Sequence, residues 1–217
     1  SINFGNWFDV SHSFIPQELQ FELTIPYRTE NKKLITLWNK VRNIEDDILE
    51  HITRNDYSIR LNESIFENFD SDEIILCLNY DGLYGINNIN KFLQSSNENR
   101  PIKWGVLIYK VGDPILFNET KRFGSVIYNN LKGNIVSIES QSDKIEFNIE
   151  VDKKITKRDT MFNDFELISN PTENTSIISF YVSKYPSTDE DEESSDAIVP
   201  FQVAYAVSIH KAQGLEY

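Results

Sequence analysis

Two apolar runs constrain the fold of this chain more than any other feature of its sequence. The first is IILCL at residues 74–78, and the second is VAYAVSI at residues 203–209. A strand with one exposed face alternates apolar and polar residues, whereas a strand covered on both faces is apolar along most of its length, as in parallel sheets. We therefore expect two strands of a parallel sheet, each covered on both faces.

Helical patterns flank these strands. Apolar residues at helical spacing form two stripes: Leu34, Leu37, Trp38, Val41 and Ile44, and then Ile86, Ile89 and Leu93. The residues FELTI at 21–25 predict a further strand, and Thr29 is a candidate N-cap of the first helix, because its hydroxyl can accept a free backbone N–H. Alternating strands and helices predict an α/β domain that binds ligands beyond the carboxyl ends of its parallel strands.

The pattern changes between Trp104 and Pro200. This segment contains short strand patterns separated by turn residues, at residues 104–118, 124–140 and 144–152. A hairpin-like bend is expected at Asn129, Asn130 and Gly133. Several short antiparallel strands with little helix predict a small barrel or sandwich, inserted into the α/β domain.

Charge and composition limit the classes of function. The net charge of −13 opposes a general attraction to nucleic acid, because neutralising phosphates requires clustered Lys and Arg, so any such contact has to be local. Much of the acidity lies in STDEDEESSD at residues 187–196, which predicts a solvated loop. The one cysteine, Cys77, is expected to be a buried hydrophobic residue. No apolar run is long enough to span a bilayer, so we expect no membrane partner and a cytoplasmic location.

Three motifs occur in a fixed order along the chain. Tyr27-Arg28-Thr29 lies where a predicted strand leads into a helix, VGDPILFNETKR opens the β-rich insertion, and SIHKAQGLEY ends the sequence. In this order they resemble the C-terminal half of superfamily 1 DNA helicases, in particular the RecD-like and UvrD-like branch. The last motif matches the family pattern Thr/Ser-x-His-Lys-x-Gln-Gly and is the most specific of the three.

The resemblance implies a particular domain arrangement. A RecA-like domain of the P-loop NTPase type, with a parallel sheet, would occupy residues 1–103 and 200–217 and be truncated. An SH3-like small β-barrel would be inserted at residues 104–199, with the acidic loop at 187–196. The opening SINFGNWF resembles the segment that follows the family's Gly-Asp-x-x-Gln motif, so we expect both ends to be trimmed.

The phosphate loop of such motors is absent from this sequence. No two of the eight glycines are five residues apart, so Gly-x-x-x-x-Gly-Lys-Ser/Thr does not occur. We therefore expect the chain not to hydrolyse ATP alone. By resemblance, ATP and Mg²⁺ would be bound mainly by a missing N-terminal motor domain of the same chain.

The resemblance also implies residues that act on ATP. Arg28 would be catalytic, because a guanidinium stays ionised and offers a planar fork of donors to the charge that develops on the γ-phosphoryl group. Gly214 would let the backbone approach the nucleotide, and Glu216 would accept a hydrogen bond from the ribose. All three are expected to face one cleft. The alternative for Arg28 is a surface arginine that pairs with Glu30 or another nearby acidic residue.

Residues that contact DNA are expected beside them. By resemblance, Ser208 and His210 would face single-stranded DNA, the hydroxyl bonding a phosphate and the imidazole bonding or stacking. Asn79 follows a predicted strand and precedes a helix, so its side chain and the neighbouring backbone amides are candidates to bond DNA phosphates. The alternative for His210 is a helix-start or core histidine. Lys211 has no assigned ligand and is a candidate support for the turn.

The insertion offers weaker candidates for nucleic-acid contact. Four aromatic residues could stack on bases or fill the core of the barrel: Tyr109, Phe117, Phe123 and Tyr128. Lys121 and Arg122 form a small basic site in the sequence. Asn130 stands where relatives often carry glycine, and asparagine tolerates the positive φ that such a turn needs.

Two classes of function remain open at this point. The leading hypothesis is the second motor domain of an ATP-dependent DNA helicase or translocase, acting on single-stranded or duplex DNA. The alternative is a non-enzymatic scaffold whose small barrel recruits a protein partner, which the acidic charge and the missing phosphate loop favour. A nuclease elsewhere in the same protein is compatible with both.

Overall fold

The structure is a computed structural model that describes residues 7–21, 29–55, 57–58, 74–161, 163–185 and 195–212. It is a mixed α/β chain that forms two compact units, Ser1–Asn68 and Phe69–Tyr217. In these described segments, no helix is both long and apolar enough to cross a membrane.

The first unit is helical where it is described. It contains α1 (Trp7–Phe14), a 3-10 turn at Gln17–Leu19, α2 (Lys32–Arg42) and α3 (Ile48–Arg54). The helix predicted from the first apolar stripe is confirmed as α2, but it ends before Ile44, and Trp38, Val41 and Ile44 are exposed. The strand predicted at FELTI lies mostly outside the described residues.

Asn31, rather than Thr29, caps α2. The Asn31 side-chain oxygen accepts hydrogen bonds from the backbone N–H groups of Lys33 and Leu34, at 3.0 and 3.3 Å. The hydroxyl of Thr29 instead accepts from the Asn31 N–H at 3.2 Å. The predicted cap was wrong because Thr29 lies two residues too early to reach the first free N–H groups of the helix.

The second unit contains a parallel pair of strands, packed on a helix. Strand β1 (Ile75–Cys77) pairs with β10 (Ala206–Ser208), α4 (Ile86–Ser96) follows β1, and α5 (Ile209–Ala212) follows β10. The predicted stripe on α4 is confirmed, because Ile86, Ile89 and Leu93 are all buried.

The first apolar run is not covered on both faces. Leu76 is half-exposed and Leu78 is 81% exposed. Cys77 is buried, as expected. The run is longer than the strand, which ends at Cys77, so Leu78 lies outside it. The described residues contain two strands of a parallel sheet, and the larger RecA-like sheet stays a prediction.

The second apolar run divides between two sheets. Its first part belongs to β9 (Phe201–Val203), which pairs antiparallel with β4 (Pro114–Phe117), and its last part forms β10. Between them Ala204 donates its N–H to the Pro114 carbonyl at 2.8 Å, and the chain then turns toward β1. The single strand expected here was wrong, because apolar composition does not reveal a change of sheet.

A six-stranded antiparallel sheet is formed by β4 and β9 together with β5 (Lys132–Ser140), β6 (Lys144–Val151), β7 (Glu166–Ser169) and β8 (Ser176–Ser183), and a hairpin of β2 (Ile102–Trp104) and β3 (Leu107–Tyr109) precedes it. The strand order is β7-β8-β6-β5-β4-β9. Five of these strands lie within residues 104–199, where we expected an insertion, and β9 lies just beyond them. The three predicted strand regions are thus confirmed. In the described part of the chain, however, β7 and β9 are opposite edges that do not pair, so the sheet does not close into the expected barrel.

Aromatic rings fill the core of this sheet. Tyr109, Phe117, Phe147, Phe180 and Phe201 are all buried, and Phe147 and Phe201 meet edge to face at 4.9 Å between ring centroids. Edge-to-face pairs add to the stabilisation that the buried area gives.

Two bend residues have different roles. Asn130 has a φ of +68°, as its sequence position predicts. Gly133 lies within β5 rather than in the bend. A Cβ atom at this position would lie 2.7 Å from the Glu150 carbonyl oxygen of the neighbouring strand. Glycine is needed there for close strand packing rather than for a turn.

Candidate nucleic-acid interface at the end of the parallel strands

The carboxyl ends of β1 and β10 lie side by side. In their parallel register Cys77 is opposite Ser208. Asn79 lies two residues beyond Cys77, and His210 lies two residues beyond Ser208, so both leave the pair at the same edge. Both residues are exposed. Because neighbouring strands are only about 4.8 Å apart, the fold brings two of the predicted DNA-contacting residues to one surface.

Ser208 is a supporting residue of this edge. Its side chain is buried, with 3% exposure, and its hydroxyl oxygen accepts a hydrogen bond from the Lys211 N–H at 3.2 Å. Ser208 therefore acts as the N-cap of α5. Its predicted contact with a DNA phosphate stays a prediction.

Lys211 ties the same turn to the inserted sheet. Its ammonium donates a hydrogen bond to the Gln202 side-chain oxygen at 2.7 Å, which joins α5 to β9. This contact agrees with the prediction that Lys211 supports the turn. Ser208 is buried and Lys211 is half-buried, whereas His210 is exposed, so among the described residues of this turn His210 is the exposed polar one.

Asn90 fixes the position of β10, and sequence reasoning missed it. Its side-chain oxygen accepts from the Ala206 N–H at 2.8 Å, and its amide donates to the Ala206 carbonyl at 3.0 Å. The side chain thereby occupies the place of a neighbouring strand. An amide beside the apolar stripe of α4 was the available signal, since a buried amide has to find partners.

The segment between β1 and α4 does not present the free amides that we expected. The N–H groups of Ile86 and Asn87 bond the carbonyls of Asn79 and Tyr80, at 3.0 and 3.1 Å. Gly85 allows this turn, since a Cβ atom there would lie 2.6 Å from the Asp81 carbonyl oxygen. The prediction was wrong for these amides, because the loop folds back on the helix start. The Asn79 side chain remains a candidate.

The aromatic candidates of the insertion separate into core and surface. Tyr109, Phe117 and Phe123 are buried, so the core alternative holds for them. Tyr128 is 49% exposed, and the ammonium of Lys153 lies 5.1 Å from its ring centroid. Base stacking thus stays possible only at Tyr128 among these four.

The predicted basic site of Lys121 and Arg122 does not present its arginine at the surface. The Arg122 side chain is 2% exposed, pairs with Asp164 at 2.7 Å and donates to the Tyr181 carbonyl at 2.9 Å. Its guanidinium also lies over the Phe123 and Phe180 rings. Arg122 is a structural residue, which leaves Lys121 exposed alone.

A groove of about 330 Å³ lies at the six-stranded sheet and is lined by residues of β6, β7 and β8 and of the segment before β7. Its lining includes the carboxylates of Glu146, Asp164 and Glu166. Glu146 accepts a hydrogen bond from the Ser179 hydroxyl at 2.8 Å. This acidic lining disfavours phosphate, and none of the predicted site residues contributes to it.

The predicted ATP-contacting residues lie outside the described residues. Arg28, Gly214 and Glu216 belong to segments whose structure is not described, so their roles stay predictions. Within the described segments, no three His, Cys, Asp or Glu side chains group as metal ligands would.

No protein-family model and no curated protein matches this chain. Among solved structures it is similar to Pif1 helicase chains. Pif1 helicase from Bacteroides in complex with ADP-AlF3 and single-stranded DNA is 17% identical, with 91% of this chain and 44% of that chain covered and a TM-score of 0.49.

Two further solved structures are similar. One, from work on unwinding of forked double-stranded DNA by two coordinating Pif1 helicases, is 15% identical over 90% of this chain and 41% of that chain, with a TM-score of 0.41. Unliganded Pif1 from Bacteroides sp. is 17% identical over 89% and 43%, with a TM-score of 0.39. The chain spans less than half the length of each of these helicases.

Proposed function

We propose that this chain is part of an ATP-dependent DNA helicase or translocase and contributes its second, RecA-like motor domain. One observation carries the proposal: Asn79 and His210 leave the parallel pair at the same edge, and both are exposed. The carboxyl edge of parallel strands is where α/β folds bind their ligands. The closing SIHKAQG, which resembles a helicase motif, supplies the His210 side of that edge.

DNA contact at this edge is local. The imidazole of His210 and the side-chain amide of Asn79 each offer an N–H donor to a backbone phosphate. Ser208 and Lys211 hold the turn that carries His210. A local site of this kind is compatible with a net charge of −13, which opposes attraction over the whole surface.

ATP hydrolysis supplies the free energy for movement along DNA. In the proposal Arg28 stabilises the charge on the transferred phosphoryl group, and Gly214 and Glu216 contact the nucleotide. ATP and Mg²⁺ are held mainly by an N-terminal motor domain of the full-length protein. The antiparallel sheet, of which five strands lie within residues 104–199, is the counterpart of the SH3-like insertion, and residues 1–103 and 200–217 form the motor domain, which contributes β9 to the sheet.

Substitutions in the full-length protein test the two ligand sites separately. A hydrogen bond to a charged group is worth about 1.5–3 kcal/mol, so His210→Ala should weaken binding of single-stranded DNA at least tenfold. Arg28→Ala should lower DNA-stimulated ATP hydrolysis about a thousandfold, as expected for an arginine at the γ-phosphoryl group. The measurements are fluorescence anisotropy with labelled oligonucleotide and a coupled ATPase assay.

His12→Ala is the matched control, because it removes an exposed histidine from α1, outside the proposed site. It should change neither quantity. Wild-type affinity in His210→Ala would remove His210 from the DNA site, and unchanged hydrolysis in Arg28→Ala would remove its catalytic role. If the wild-type full-length protein neither binds DNA nor hydrolyses ATP, the scaffold alternative is favoured.

A further inference from the structure

A fully buried carboxylate lies directly before β4, where the chain enters the six-stranded sheet. Asp113, in the turn between β3 and β4, is 0% exposed. Its two oxygens accept four hydrogen bonds at 2.5 to 2.9 Å, from Gln94 Nε2, Asn97 Nδ2, the Lys110 N–H and the Tyr205 hydroxyl. Burying a carboxylate is costly unless hydrogen bonds replace its hydration. Four donors to one carboxylate mark a site built to hold a charge.

The four donors come from three parts of the second unit. Gln94 belongs to the last turn of α4, and Asn97 is the C-cap residue of that helix. Lys110 belongs to the same turn as Asp113, at the start of the insertion. Tyr205 lies in the corner between β9 and β10, where the chain leaves the six-stranded sheet. Asp113 therefore joins the helix to both chain segments that connect the inserted sheet.

In this connection Tyr205 is the hydrogen-bond donor and Asp113 the acceptor. Burial, together with the nearby charge of Asp113, raises the pKa of the Tyr205 phenol above its ordinary value. The phenol therefore stays protonated and remains a donor to the carboxylate. Tyr205 directly precedes β10, and His210 lies two residues after the end of that strand. The Tyr205 hydroxyl therefore fixes the start of the strand that leads to His210.

We propose that Asp113 and Tyr205 are positioning residues that transmit movement between the inserted sheet and the edge that carries His210. This inference rests on the proposed function. The hydrogen bond from Tyr205 to Asp113 fixes the start of β10, Asn90 fixes its middle, and the contact from Lys211 to Gln202 fixes the turn behind it. A displacement of β9 with the inserted sheet therefore carries the His210 turn along.

The chemistry of the network favours a positioning role over simple stabilisation. Apolar side chains of similar volume stabilise a core at least as well as buried charged groups do. A fully satisfied polar network instead selects one arrangement, since any other arrangement leaves a buried group without a partner. That is the property a coupling element requires.

The matched pair Tyr205→Phe and Tyr109→Phe tests the proposal in the full-length protein. Each substitution removes one phenol hydroxyl from the second unit, that of the buried Tyr109 or that of the partly buried Tyr205. The Tyr109 hydroxyl has no hydrogen-bond partner among the described residues, whereas that of Tyr205 bonds Asp113. For Tyr205→Phe we expect base pairs unwound per ATP hydrolysed to fall at least threefold, with DNA-stimulated kcat and the Kd for single-stranded DNA within twofold of wild type. Tyr109→Phe should leave all three unchanged.

Hydrogen exchange gives a readout that does not depend on helicase activity. Exchange of the Ala206, Val207 and Ser208 amides should accelerate at least tenfold in Tyr205→Phe and in Asp113→Asn, and remain as in wild type in Tyr109→Phe. Unchanged exchange in both variants would overturn the proposal, whatever the enzyme does. So would an unwinding ratio equal to wild type, or a loss that Tyr109→Phe shares. A wild-type protein without DNA-stimulated hydrolysis would instead contradict the proposed function, and exchange alone would then decide whether the network positions β10.

Discussion

Tyr109 is a buried phenol of the second unit and Tyr205 a partly buried one, and their hydroxyls have different surroundings. Tyr109 lies in the aromatic core and its hydroxyl has no partner among the described residues, whereas Tyr205 donates to Asp113. Burial raises the pKa of the Tyr109 phenol far above its ordinary value, and burial with the Asp113 charge raises that of Tyr205. The same kind of residue therefore serves packing in one place and positioning in the other.

The raised pKa values predict loss of stability in alkali. A group whose folded pKa lies above its unfolded pKa contributes full stability below the unfolded value, which is about 10 for tyrosine. Above about pH 10 the unfolded state releases a proton that the folded state retains, so the free energy of unfolding falls. For Tyr109 the free energy of unfolding should fall with a slope that approaches about 1.4 kcal/mol per pH unit.

Urea unfolding at several pH values between 8 and 11 measures this effect. Tyr109→Phe should be at least as stable as wild type at pH 8, because the substitution removes a buried hydroxyl without a partner, and should lose less stability between pH 10 and 11. If the free energy of unfolding of both proteins fell equally with pH, the raised pKa of Tyr109 would be contradicted.

At the scale of elements, Asn90 shows how α4 holds β10. Replacing Asn90 with leucine keeps a similar side-chain volume but removes both hydrogen bonds to Ala206. A buried backbone group left without a partner costs about 1–3 kcal/mol, so Asn90→Leu should destabilise the second unit by at least this amount. Chemical denaturation followed by aromatic fluorescence measures the change.

Lys91→Leu is the control, because Lys91 is exposed on the same helix. It introduces the same side chain next to Asn90 and should alter stability by less than about 0.5 kcal/mol. Equal effects of the two substitutions would mean that the amide does not hold the strand.

Local patterns predicted elements well and their connections poorly. The spacing of Ile86, Ile89 and Leu93 was sufficient to identify the buried face of α4, since helix periodicity is a local property. The split of residues 203–209 between β9 and β10 depends on pairing with β4 and β1, which lie far away in the sequence.

The same distinction applies to the candidate site. Asn79 and His210 could be placed at one edge from the rule for parallel strands. The hydrogen bonds from Asn90 to Ala206 and from Tyr205 to Asp113 join residues 116 and 92 positions apart. No local pattern encodes such partners, and for the same reason the burial of Arg122 against Asp164 could not be predicted.

At the scale of the whole molecule, the aromatic core cluster that the described residues form lies within the second unit, residues 69–217. The six-stranded sheet, its aromatic core and the parallel pair all belong to this unit. The six-stranded sheet should therefore fold in a protein of residues 69–217, although that protein lacks residues 1–68 of the proposed motor domain. We expect dispersed amide resonances and one cooperative thermal transition.

Phe147→Ala provides the control for a specific core. Phe147 is fully buried between Tyr109, Phe180 and Phe201, so the substitution should cost about 3–5 kcal/mol. A fragment that melts without cooperativity, or one that Phe147→Ala leaves unaffected, would show that the unit depends on residues 1–68.

The neighbouring ends of the insertion have an engineering consequence. Ala204 bonds the Pro114 carbonyl, and Tyr205 bonds Asp113, so the polypeptide departs and returns at almost the same point. Segments with this geometry can be excised as a cassette and replaced by another module, because a short graft bridges the gap without stretching the host. Such a replacement would leave in place the edge that carries Asn79 and His210.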